Sequence, residues 1–252
     1  MKFFWYNFIS VKAEEQIIQE ITELVKETRQ YDRAEDMMVF CLVPSTCLKG
    51  VLSAVDRHYV KIGAQNMSPA RYGQVNGELS LPMLKALGTD MVLVGSADRR
   101  VLFSESDKLA GEKLREVLAG GFKSLLGVGE LEEHVPNVDE VLKRQIKAGF
   151  TGIPRDSYYR TGALYQPYHS LGEEGTADGR KEAAARAAVI RKALHEAVPQ
   201  AEEPLPVFYG GKMTMDEAVS YLEDNVFDGI FADDRQWTHR QLIALIHKVM
   251  DK

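Results

Sequence analysis

Polar side chains that could bind or transform a ligand follow several short apolar runs of this 252-residue chain. Ser96 and Gln166 each come after one such run, and Lys212 and the pair Asp233-Asp234 follow two more. A hydroxyl can donate a hydrogen bond, a lysine attracts anions, and paired carboxylates attract a cation or an amine. A glutamine amide can orient a ligand but lacks the basicity to abstract a proton from carbon. These residues indicate a polar site whose acid–base chemistry is incomplete.

Eight apolar or β-branched runs alternate with helical patterns along the chain and would position these side chains. The runs lie near 3–8, 37–43, 58–62, 90–95, 122–126, 161–165, 205–209 and 227–232. Repeated alternation of strand and helix favours a parallel sheet wrapped by helices, and about 250 residues is a usual length for an eight-fold barrel. We therefore predict an α/β protein, a (β/α)8 barrel that forms a single domain over residues 1–252.

Composition limits the classes of partner. The net charge of −6 gives no electrostatic case for nucleic acid or an anionic membrane surface. No apolar run approaches the ~20 residues that span a bilayer, and the N-terminus lacks the pattern of a signal peptide. The six histidines show no zinc-ligand spacing, and two cysteines are too few for a disulfide framework. We expect a cytoplasmic protein with no metal and no cofactor.

Motifs in a fixed order connect the chain to a known family. Gly63–Arg100 contains Gly-Ala-Gln-Asn, Gly-Glu-Leu-Ser, Met-Leu-Lys-Ala-Leu-Gly and Gly-Ser-Ala-Asp-Arg-Arg. Gly127-Val128-Gly129-Glu130, Tyr165-Gln166-Pro167 and Tyr209-Gly210-Gly211 follow it. Together they resemble the triosephosphate isomerase family over nearly the whole chain, with Gly127 in place of a cysteine. The resemblance implies a TIM barrel and, in the family, interconversion of the triose phosphates glyceraldehyde 3-phosphate and dihydroxyacetone phosphate.

The resemblance also shows which catalytic groups are replaced. The family's histidine electrophile falls on Ser96, and its glutamate base falls on Gln166. A strand-one motif Asn-Trp-Lys-Met-Asn, matched at its final asparagine to Asn7, puts Trp5 at the lysine; a shift by one residue puts Tyr6 there. We expect the Trp5 indole to pack in the core or the pocket. Ser96 is equally compatible with a role in capping the turn after its strand.

The phosphate-binding positions implied by the resemblance differ as well. Lys212 replaces a serine, and Asp233-Asp234 replaces a pair of glycines. A carboxylate repels a phosphate charge at 4 Å by about 1 kcal/mol in water, or about 4 at an effective dielectric of 20. A phosphorylated ligand is therefore disfavoured. We interpret four acidic residues, Glu173, Glu174, Asp233 and Asp234, as a solvated rim. The predicted ligand contacts are Trp5, His169, Gly172, Lys212, Asp233 and Asp234.

The stretch Gln65–Ser80 resembles a family loop that protrudes into a partner subunit. Glycines in it permit tight turns, and without a partner it would expose apolar side chains. We predict a homodimer. The predicted interface residues are Asn66, Gln74, Val75, Asn76, Gly77 and Arg99.

Three functions remain open at this point. The first is a non-catalytic dimeric barrel that binds a small polar ligand. The second is an enzyme of altered chemistry acting on a neutral or cationic metabolite through Ser96, Lys212, Asp233 or Asp234. The third is a weak triose-phosphate isomerase, which only the resemblance in fold supports.

Overall fold

A computed structural model describes residues 1–9, 11–32, 35–69, 75–131, 136–167 and 179–251. Eight parallel strands form a closed barrel in chain order, and β1 pairs with β8 from Phe3–Gly229 to Asn7–Asp233. This architecture confirms the predicted TIM barrel. The strands are Lys2–Asn7 (β1), Met37–Val43 (β2), Lys61–Ala64 (β3), Met91–Val94 (β4), Lys123–Val128 (β5), Thr161–Tyr165 (β6), Val207–Tyr209 (β7) and Gly229–Asp233 (β8).

Helices follow the strands and cover the barrel. Those of the described residues are Glu14–Thr28 (α1), Leu48–Ala54 (α2), Leu81–Leu87 (α3), Ala97–Leu102 (α4), Asp107–Ala119 (α5), Val138–Phe150 (α6), Arg180–Ala197 (α7), Met215–Glu223 (α8) and His239–Met250 (α9). Capping boxes begin the last two, with Thr214 and Glu217 at α8 and Thr238 and Gln241 at α9. None of these helices is long and apolar enough to cross a bilayer.

Alternation along the strands separates two apolar layers. On β1, Phe4 and Tyr6 face the helices, whereas Trp5 joins an apolar cluster inside the barrel. Trp5 is 3% exposed, and its ring stacks on Phe40 at a centroid distance of 4.0 Å. Leu93 and Phe231 belong to the same cluster. The barrel is therefore filled, and space for a ligand lies beyond this layer.

The third strand begins later than the run at 58–62 predicts. A turn occupies its start, because Tyr59 N–H donates to Asp56 O and His58 N–H donates to the Asp56 side chain. The strand instead includes Gly63, whose added Cβ would lie 2.6 Å from side-chain atoms of both Leu42 and Met91. A glycine is thus required for the close approach of these neighbours.

Candidate functional site

A cavity of about 430 Å³ opens at the carboxyl ends of the strands. Leu93 and Phe231 line its apolar part. Polar side chains from the segments after five strands also line it: Asn7, Gln65, Ser96, Asp98, Gln166 and Arg235. A larger cavity, about 540 Å³, lies at the opposite end between Tyr159 and Pro206. We assign the candidate site to the smaller one because barrels of this class bind ligands at the carboxyl ends.

The two predicted catalytic positions, Ser96 and Gln166, lie together in this cavity. Ser96 is the N-cap residue of α4, but its side chain makes no capping hydrogen bond. The Gln166 backbone N–H donates to Val128 O at 2.8 Å, and its Oε1 accepts from Ala97 N–H at 3.2 Å. Since a backbone N–H requires an acceptor, this contact fixes the amide orientation and leaves the Gln166 nitrogen to face a ligand.

A second amide pair is oriented in the same way. Gln65 Nε2 donates to the backbone oxygen of Phe8 and, at 2.8 Å, to Asn7 Oδ1. The carbonyl of Phe8 can only accept, so Gln65 must present its nitrogen, and Asn7 must present its oxygen, to this contact. The amide nitrogen of Asn7 and the Oε1 of Gln65 are then the groups available to a ligand.

Arg235 is the charged member of the missed cavity residues that contacts a predicted one, Asp233. Asn7, Gln65 and Asp98 also line the cavity without having been predicted as ligand contacts. Arg235 Nη2 lies 2.7 Å from Asp233 Oδ2, its Nε lies 3.3 Å from Asp233 Oδ1, and its Nη2 lies 3.4 Å from Asp98 Oδ2. The hydrogen bonds to Asp233 raise the pKa of Arg235, so it carries its charge throughout the ordinary pH range. The one sequence signal is an aspartate two residues before an arginine at a strand end, which is weak.

The sequence of this chain is similar to those of known proteins. A family model described as triosephosphate isomerase matches residues 6–249. Triosephosphate isomerase of Alkaliphilus metalliredigens is 30% identical over 215 residues, which cover 84% of this chain and 86% of that protein. The enzyme of Symbiobacterium thermophilum is 33% identical over 189 residues, covering 74% and 73%. That of Fusobacterium nucleatum is 30% identical over 226 residues, covering 88% of each.

The chain belongs to the triosephosphate isomerase family.

The geometry corrects the strand-one register expected from the family motif. Trp5 lies within the barrel layer and outside the cavity lining, whereas Asn7 at the strand end and Ile9 beyond it both line the cavity. Aligning Asn7 with the first asparagine of the motif places Ile9 at the family's lysine. The earlier register was wrong because it relied on the last asparagine alone. Its conclusion is unchanged, since no lysine occupies the position.

The expectation of a solvated acidic rim is wrong for Asp233 and Asp234, whereas Glu173 and Glu174 lie outside the described residues. Asp233 is buried and bound to Arg235, and the Asp234 side chain is 1% exposed. Asp234 Oδ1 accepts from Ile9 N–H at 2.8 Å, and its Oδ2 lies 3.1 Å from Lys12 Nζ. Burial lowers the pKa of Lys12, but hydrogen bonds to Glu20 and Asp234 outweigh it and raise that pKa. Each carboxylate has a cation beside it, so the repulsion estimated from the sequence is an upper bound.

Asn66 and Arg99, two of the predicted interface residues, belong to a buried ionic cluster. Asn66 Oδ1 accepts from Lys113 Nζ at 2.8 Å, and Lys113 pairs with Glu105. Arg99 Nε lies 3.3 Å from Glu105 Oε2, and its guanidinium lies 4.2 Å from the centroid of the Phe103 ring. The cluster holds the start of α4 against α5.

The other predicted residues are dispersed. Val75, Asn76 and Gly77 form a turn away from the cavity lining, with Gly77 at a φ of 86°. Lys212 follows β7 outside that lining, and its carbonyl accepts from the Tyr209 hydroxyl. His169, Gly172 and Gln74 lie outside the described residues. In the part of the chain that the structure describes, no group of three or more His, Cys, Asp or Glu side chains could hold a metal.

Proposed function

We propose that this chain is a pseudoenzyme of the triosephosphate isomerase family that binds a small polar ligand in the cavity at the strand ends. The observation that carries the proposal is Gln166, whose amide stands at the position of the family's base. Its oxygen is held by Ala97 N–H at 3.2 Å, so the group facing a ligand is an amide nitrogen. An amide cannot remove the carbon-bound proton on which the isomerisation depends.

The other catalytic positions support the same conclusion. A serine hydroxyl at 96 is shorter than an imidazole and leaves a gap that water can fill. Ile9 offers no charge where the family has lysine. Loss of a general base lowers rates by roughly 10²–10⁴, and loss of an electrophilic donor by roughly 10²–10³. These losses need not add, but together they leave negligible isomerase activity.

Binding is supported by the polar lining that remains. Four primary amides line the cavity, those of Asn7, Gln65, Asn66 and Gln166. Fixed amides at the edge of an apolar floor are the kind of groups that orient small polar ligands. We therefore propose that the bound ligand is a small polar molecule. We also propose that the protein is cytoplasmic.

A homodimer forms part of the proposal. Val11 is 80%, Met83 51%, Leu102 72% and Phe103 62% exposed, and they follow β1, β3 and β4 at one end of the barrel. Exposed apolar side chains on neighbouring segments are typical of an interface. Leu102→Glu should therefore shift the protein toward monomer in light scattering. The matched control is Tyr159→Glu, at a residue 81% exposed at the opposite end, which should leave the assembly unchanged.

Isomerase activity tests the proposal directly. Wild type and Gln166→Ala are produced in a host without its own triosephosphate isomerase and assayed with glyceraldehyde 3-phosphate. We expect the same background rate from both. Turnover by the wild type that disappears in Gln166→Ala would show that the site is catalytic and contradict the proposal.

A restored variant tests the reason for inactivity. Ile9→Lys, Ser96→His and Gln166→Glu together return the three family groups to the cavity. We expect turnover at least about tenfold above wild type, because a general base alone accounts for roughly 10²–10⁴. The matched control contains Ile9→Lys and Ser96→His but keeps Gln166, and it should remain near background.

A further inference from the structure

The hydrogen bonds within the cavity occupy the side-chain oxygens of two amides and leave their nitrogen atoms available to a ligand. Gln166 Oε1 is bound to Ala97 N–H, and Asn7 Oδ1 is bound to Gln65 Nε2. The nitrogen atoms of these two amides therefore face a ligand as donors. The Ser96 hydroxyl, which makes no capping bond, adds a third donor. A ligand that complements this lining must present several acceptors.

Charge selects among such ligands. Asp98, Arg99 and Arg235 line the cavity, and each arginine also contacts a carboxylate behind the lining, Glu105 for Arg99 and Asp233 for Arg235. Asp233 accepts hydrogen bonds from Nε and Nη2 of Arg235. This contact fixes the orientation of the guanidinium plane and leaves its other edge for a ligand. That edge is a planar pair of donors and matches the two oxygens of a carboxylate.

The contact between Arg235 and Asp98 marks the place where such a ligand would bind. Arg235 Nη2 lies 3.4 Å from Asp98 Oδ2, and the Asp98 side chain is 47% exposed. A long, exposed ion pair contributes little to stability, so a ligand carboxylate can replace Asp98 on Arg235 at small cost. Asp233 remains as the positioning residue for the guanidinium.

From these contacts, and on the basis of the proposed function, we infer that the cavity binds a small hydroxy monocarboxylate, with Arg235 as its specificity-determining residue. The carboxylate takes the free edge of Arg235 and the amide donors of Asn7 and Gln166. The Oε1 of Gln65 accepts from the hydroxyl. A phosphate dianion is a poorer match, because it brings a second negative charge close to Asp98 and Asp233.

A matched series of three-carbon probes tests the inference on the intact wild-type protein. Glycerate, glyceramide, glycerol and glycerol 3-phosphate share a polyol part and differ in the end group. Binding is measured by calorimetry at millimolar probe concentrations and by the shift of the thermal midpoint. We expect glycerate to bind at least roughly tenfold more tightly than glyceramide or glycerol, as a charge-assisted bidentate contact requires, and more tightly than glycerol 3-phosphate.

Three variants separate recognition from structural damage. Arg235→Lys keeps the charge but loses the planar edge, and glycerate binding should weaken roughly tenfold. Asp98→Asn removes the competing carboxylate, and binding should tighten roughly two- to fivefold, an outcome that damage to the site does not produce. Arg155→Gln, at the opposite end of the barrel in a pair with Glu202, should leave affinity unchanged.

The outcomes distinguish this inference from the proposed function. Equal binding of glycerate, glyceramide and glycerol would overturn the carboxylate preference while leaving a polar-ligand site. Tighter binding of glycerol 3-phosphate, an unchanged affinity in Arg235→Lys, or no binding by any probe would also overturn it. The claim of lost isomerase chemistry depends separately on the turnover assay.

Discussion

Replacing Trp5 with lysine is expected to unfold the barrel, whereas Ile9→Lys should leave it folded. Trp5 is 3% exposed, stacks on Phe40 and belongs to the apolar cluster inside the barrel. Truncating a buried tryptophan costs about 3–5 kcal/mol. A lysine buried there is forced to lose its proton at neutral pH, which adds about 4 kcal/mol through the lowered pKa. The total of about 8 kcal/mol is comparable to the whole stability of a typical domain, about 5–15 kcal/mol.

Ile9 is the matched comparison because it is half-buried at the cavity mouth. A lysine there can extend its ammonium group into solvent, so we expect a loss of about 1 kcal/mol or less. Guanidinium denaturation followed by far-ultraviolet circular dichroism gives both values. A Trp5→Lys protein that folds with a loss below about 2 kcal/mol would refute the assignment of Trp5 to the barrel interior.

Three further outcomes are expected. Lys113→Met leaves the buried Glu105 carboxylate with one cation fewer and should cost about 3 kcal/mol in denaturant unfolding; the double variant with Glu105→Gln should recover part of this. Gly127→Ala places a Cβ 2.5 Å from a backbone oxygen and 2.8 Å from Ser96 Cα, so denaturation should show a loss of about 1–3 kcal/mol. Burial and a hydrogen bond to a carboxylate raise the pKa of Tyr31 to about 12, so the folded state keeps this proton longer than the unfolded state. Stability should therefore fall between about pH 10 and 12, and the fall measured by denaturant titration should be shallower in Tyr31→Phe.

The barrel could be predicted from the sequence because the same signal occurs many times along the chain. Motifs after several strands and eight alternations of strand and helix agree on one architecture. Ser96 and Gln166 both line the cavity, since both follow strands of the same barrel and therefore meet at one edge.

The details that failed depend on contacts between distant parts of the chain. The side chain of Asp234 looks exposed in a polar tail of a strand, yet it binds Lys12 and Ile9 N–H from the first loop. Arg235 lies in the cavity beside Asp98 from the segment after β4, and its Nη2 is 3.4 Å from Asp98 Oδ2. No local pattern indicates such pairs, and an error of four residues in the strand-one register was enough to put Trp5 in the cavity lining in place of Ile9.

The bond from Asp234 Oδ1 to Ile9 N–H joins residues 225 positions apart. It lies where the first and last strands meet, and β1 pairs with β8 from Phe3 to Asn7. During synthesis one edge of β1 therefore stays without this neighbour until β8 has also left the ribosome. The contacts of Asp234 with Ile9 N–H and Lys12 thus form only when the barrel closes, after all eight strands have been synthesised.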